Sequence, residues 1–88
     1  MLDFITIKEV KLSIGDWCKA LRKDEKISQQ VLAEELGISR FTLANLENGE
    51  NPTLDTLLKV LQYFDELKNL NRFIQEKTDS LSKPTSLY

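Results

Sequence analysis

Eighty-eight residues with one cysteine, no histidine and a formal net charge of -2 leave room for a single small domain and for little chemistry. Hydrophobic residues make up 41% and charged residues 30%, the balance of a folded, water-facing chain, and no apolar run is long enough to span a bilayer. A zinc site of the usual kind, a histidine-assisted nucleophile and a glycine-rich phosphate loop are all missing, the only glycines being Gly15, Gly37 and Gly49, so neither an enzyme nor a metal or cofactor is expected.

The first ten residues, MLDFITIKEV, carry acids early and no small-residue cleavage site, so no signal peptide is expected. A lone Cys18 fits a reducing cytoplasm. Residues 1–12 read as an arm, either partly ordered or holding a short strand around Phe4–Ile7, where alternation is partial. From Ser13, a candidate N-cap, a domain over 13–77 begins. Ile14, Trp17, Cys18 and Leu21 follow at i, i+3, i+4 and i+7, an apolar stripe on which Cys18 reads most simply as a small buried hydrophobe.

Ser28 caps a short helix over about 29–36, with Leu32, Ala33 and Leu36 inward. Gly37 ends it, at a place where the chain commonly turns left-handed and glycine does so at little cost. Ser39 caps the next helix, about 40–48, with Leu43 and Leu46 inward, and Gly49 closes it. After Glu50-Asn51-Pro52, Thr53 caps a fourth helix with Leu54, Leu57, Leu58 and Leu61 inside. The stripe is interrupted at Tyr63–Asp65. Either Asp65 caps a last helix, Glu66 to Lys77, or the fourth helix runs on, since no glycine or proline intervenes. Residues 78–88, TDSLSKPTSLY, read as a flexible tail.

Two short helices with a glycine at the corner make a helix-turn-helix. Ala33 is small where the helices cross, and Ile38 plugs the turn. The stretch SQQVLAEELGISRFTLANLENGENPTLDTLLKVL resembles the Cro/C1-type (XRE-type) helix-turn-helix family, from about Ile14 to Leu61. The resemblance implies an all-α, lambda-repressor-like bundle of four to five helices that docks on double-stranded DNA. It also implies that Arg22 on the first helix pairs with Glu47 at the end of the recognition helix, where the plainer alternative is two solvated charges.

In that docking mode the recognition helix enters the major groove by its N-terminus. Arg40, Phe41, Thr42, Ala44 and Asn45 are the candidate base readers: Arg40 for a guanine edge or a phosphate, Asn45 for adenine, Phe41 for a thymine methyl. Gln29, by resemblance, braces a phosphate, with Ser39, Asn48 and Thr53 as further phosphate candidates. Asn48 reads equally well as a helix C-cap. Charge runs the other way. Residues 28–49 carry one cation, Arg40, against Glu34, Glu35 and Glu47. Cations from outside the motif, such as Lys11, Lys19, Lys23 and Lys26, are candidates to reach the DNA backbone. Modest monomer affinity and reliance on a dimer are therefore expected.

Leu67, Leu70, Phe73 and Ile74 form a stripe that either folds back onto the domain or makes the seam of a homodimer. The N-terminal segment is a second candidate for that pairing. Three roles share this architecture: a repressor, an antitoxin wrapping a toxin, and a restriction-system controller. In size and tail placement the chain resembles small antitoxins of the HipB type. The alternative from another class is a protein-interaction module that has kept the fold and lost DNA.

Overall fold

The computed structural model describes residues 4–82. Five helices follow one another: α1 (Ile7–Asp24), α2 (Gln29–Leu36), α3 (Arg40–Glu47), α4 (Leu54–Tyr63) and α5 (Leu67–Ser82). The first four start alike. A hydroxyl at each N-cap accepts from the backbone N–H three residues on: Thr6 from Glu9, Ser28 from Val31, Ser39 from Thr42 and Thr53 from Thr56.

The same four helices also end alike. A residue just past each end takes positive φ: Lys26 (58°), Gly37 (69°), Gly49 (71°) and Asp65 (61°). The next N–H reaches back five residues, Ile27 to the Arg22 carbonyl, Ile38 to Ala33, Glu50 to Asn45 and Glu66 to Leu61. This closing turn satisfies carbonyls that the helix leaves open.

Cys18, Leu32, Ala33, Leu43, Leu46 and Val60 form the core, with Ile14, Leu36, Ile38, Leu57 and Phe64 packed against it. α1 lies across α3, and the approach is close. A Cβ on Gly15 would stand 2.5 Å from the Glu47 carbonyl oxygen and 2.7 Å from that of Leu46. Among the described residues no helix is long and apolar enough to cross a membrane.

Several expectations from the sequence give way. No strand forms at Phe4–Ile7. Phe4, Ile5 and Thr6 are irregular, and α1 starts at Ile7 rather than after Ser13. Thr6, with Glu9 three residues on, supplies a stronger start signal than partial alternation, and Ser13 lies exposed inside the helix. Trp17 and Leu54, expected inside, are 39% and 70% exposed. On α4 the buried set is Thr56, Val60 and Leu61, a face turned from the all-leucine stripe. The last helix is separate from α4, broken at Asp65, and runs five residues past Lys77 to Ser82. The first proline beyond it is Pro84, and the rest of the expected tail, residues 83–88, lies outside the described residues.

Candidate nucleic-acid interface

The outer face of α3 follows from its inner one. Leu43, Leu46 and Glu47 are buried, which turns Phe41, Ala44, Asn45 and Asn48 away from the core. Phe41 is 74% exposed, a large apolar side chain standing in water at the start of the helix. Ala44 and Asn45 are partly buried beside it, and Asn48 is the C-cap residue. Arg40 is exposed and Thr42 partly buried, on the two edges of this face. The Thr42 and Ser39 hydroxyls stand 2.9 Å apart, so both are tied into the cap that starts the helix. Thr53 and Thr56 repeat that arrangement at the start of α4.

Behind this face sits a buried cluster that fixes how α3 is held. Arg22 forks onto Glu47, Nε donating to Oε2 at 2.7 Å and Nη2 to Oε1 at 2.9 Å. Its Nη1 donates to the Ile27 carbonyl at 2.8 Å. A planar fork on a carboxylate fixes direction as well as distance. Burial pushes the Glu47 carboxyl up, but the hydrogen bonds of Arg22 and Gln29, with the charges of Arg22 and Lys19, outweigh it and hold the group below its ordinary value. The same bond from Glu47 holds the Arg22 guanidinium above its own. Burial, with the Glu47 charge behind it, pushes the Cys18 thiol up to about 12, so it stays protonated and inert as a nucleophile.

Gln29 joins this cluster to the surface. Its Nε2 donates to Glu47 Oε1 at 2.9 Å, and its Oε1 accepts from Arg40 Nε at 3.4 Å. One amide N–H of Gln29 is thus committed inward and one remains. The structure brings together Arg22, Glu47, Gln29 and Arg40, and places Asn48 and Thr53 at the far end of α3 and the start of α4.

Nothing in the sequence pattern marked Lys11 and Asn51 as partners, yet Lys11 Nζ donates to Asn51 Oδ1 at 2.6 Å. Asn51 itself takes positive φ, 41°, in the loop between α3 and α4. One of the cations outside the motif is therefore engaged in holding that loop against α1. Gly15 is the other residue whose position only the packing reveals, since its spacing within α1 is unremarkable.

Comparison with known proteins bears on this surface. A family model described as helix-turn-helix matches residues 19–67, more than half of the chain. An immunity repressor protein of Bacillus phage phi105 is 43% identical over 47 residues, which is 52% of this chain and 33% of that protein. The chain thus aligns with about a third of the length of that relative. No solved structure matches it.

Proposed function

The chain belongs to the helix-turn-helix family, and from that premise we propose that it is a DNA-binding transcriptional regulator, a repressor that reads duplex DNA through the major groove. The observation that carries this reading is the outer face of α3. Phe41, Ala44 and Asn45 project from a short helix locked from behind by the Arg22–Glu47 fork. A helix held this firmly spends little ordering entropy on docking.

Arg40 and Asn45 are the polar base readers, Phe41 and Ala44 make apolar contacts to thymine methyls, and Thr42 bonds a base or phosphate at the rim. Gln29, through its remaining amide N–H, joins Ser39, Asn48 and Thr53 in gripping the backbone. The protein acts in the cytoplasm as a homodimer on a palindromic operator, because one cation within 28–49 gives a single motif little counterion release. Repression is preferred to activation because the phage relative is an immunity repressor. The antitoxin role draws no support from the helices, and the tail on which it rested lies mostly outside the described residues.

The second reading is a protein-interaction module. It draws on the same scarcity of charge, sharpened by Lys11 being held on Asn51 and Arg40 leaning on Gln29. Selection from random duplex DNA, repeated at two salt concentrations, separates the two. A regulator enriches a palindrome and weakens as salt rises. Enrichment of nothing, from a folded protein, hands the chain to the module reading.

A further inference from the structure

Two joints of the fold meet at one cleft. The turn after α1 and the turn after α4 each close with a left-handed residue, Lys26 and Asp65. Between them lies an open cleft of about 540 Å³, lined by Glu25 and Ile27 from the first turn and by Tyr63, Phe64 and Asp65 from the second. No residue of α3 lines it, so the cleft stands apart from the candidate DNA face.

Its walls share one chemistry. Tyr63 and Phe64 meet edge to face, ring centroids 5.0 Å apart and planes at 82°, which makes an aromatic corner rather than a flat wall. Phe64 packs against the core and Tyr63 is 42% exposed, so the corner is held from behind and open in front. Glu25 and Asp65 bring two exposed carboxylates to the rim. Among the described residues neither has an ion pair. No cation lines the cleft: Lys26, between Glu25 and Ile27 in sequence, does not take part in it. α1 and α4 both end here, and the negative end of each helix dipole adds to the carboxylates. Aromatic faces, carboxylates and helix C-termini have one preference in common, a positive charge.

We propose that this cleft docks an arginine side chain of a partner protein. Charge complementarity calls for a cation, and the shape of the corner selects among cations. A guanidinium is a flat plate that stacks on an aromatic face while its five N–H groups spread in the plane of the plate toward acceptors on either side. The aromatic corner supplies the face, and Glu25 and Asp65 stand on the two joints that flank it. An ammonium answers the charge and leaves the flat face unused. The cleft is open at its mouth, which suits a side chain delivered on a polypeptide, whereas a free small molecule is held best where walls surround it. Exposed carboxylates are screened by water and salt, so one arginine by itself binds with a Kd of roughly 1 mM. The cleft therefore selects the arginine, and the surface around it completes the interface. The site goes beyond the regulator reading and needs no DNA.

The test follows backbone amide chemical shifts of the full chain, labelled with heavy nitrogen, as acetyl-Gly-Arg-Gly-amide is added at low ionic strength. Saturating shifts confined to residues 25–27 and 63–65 are expected. The matching lysine peptide is expected to bind more weakly, and the citrulline peptide, of the same shape without the charge, not measurably. Glu25→Gln combined with Asp65→Asn is expected to raise the dissociation constant roughly tenfold. The far-ultraviolet helix signal stays unchanged, because asparagine tolerates the left-handed backbone of Asp65. Tyr63→Leu is expected to raise the constant about threefold and to erase the preference for arginine over lysine. Butylguanidinium, the same head free of a chain, is expected to bind no more tightly than the arginine peptide. Shifts scattered over the whole surface, an unchanged constant in the double variant, or equal binding of the citrulline peptide would each overturn the site. Butylguanidinium binding roughly tenfold tighter than the peptide would overturn the protein partner in favour of a free small cation.

Discussion

Arg22 and Glu47 carry opposite charges at 9% and 1% side-chain exposure, and their energetics follow from that burial. Removing either partner strands the other in the core, so Arg22→Ala or Glu47→Gln is expected to cost about 3–5 kcal/mol, while the double replacement Arg22→Met with Glu47→Leu costs less than either. Chemical denaturation of the three variants checks the ordering. Protonation probes the same pair. The Glu47 carboxyl is held below its ordinary value in the folded chain, so its contribution is complete above the unfolded value. That contribution is lost as pH falls through the depressed folded value. Melting temperature is therefore expected to drop as pH is taken down from about 4.5, and to drop less steeply in Glu47→Gln.

At the scale of the element, the joints between helices divide by how their chemistry shows in a sequence. Gly37 and Gly49 were legible as helix stops because glycine marks positive φ openly. Lys26 and Asp65 do the same work without the marker, and the break between α4 and α5 could not be told from a continuous helix. Each holds a non-glycine residue left-handed at a cost of about 1 kcal/mol, so Lys26→Gly and Asp65→Gly are expected to be neutral to stabilising by up to about 1 kcal/mol. Thermal melts of the two variants decide it. Gly15 is the opposite case. On an exposed helix, alanine for glycine gains about 1 kcal/mol. Here the new methyl meets backbone oxygens at 2.5 and 2.7 Å that cannot step aside cheaply. Gly15→Ala is therefore expected to lose at least 1–3 kcal/mol. The helix-turn-helix itself was plain in the spacing of Ser28, Ala33, Gly37, Ser39 and Leu43, all local. What stayed hidden was tertiary: the Gly15 crossing, the Lys11–Asn51 bond, and the way Gln29 faces inward to Glu47 as well as outward. Arg22 and Glu47 are 25 residues apart in the chain, and only the family resemblance linked them.

At the scale of the molecule, a radius of gyration of 16.1 Å exceeds the roughly 12 Å of a compact chain of this length. The extents of 55 × 30 × 21 Å put the excess along one axis, as a projecting α5 would. On the regulator reading, base reading and dimer formation fail separately. Asn45→Ala is expected to relax base preference at one operator position by about 1–3 kcal/mol and leave self-association untouched, which duplex selection and sedimentation together measure. The sealed thiol at the centre of the bundle has a use of its own. Cys18 is fully buried and is the only cysteine in the chain, so an alkylating reagent can reach it only when the core opens. Its labelling rate is then a clock for opening, readable by mass without any added probe. Slower labelling in the presence of an operator would report the coupling between docking and folding directly on the native chain.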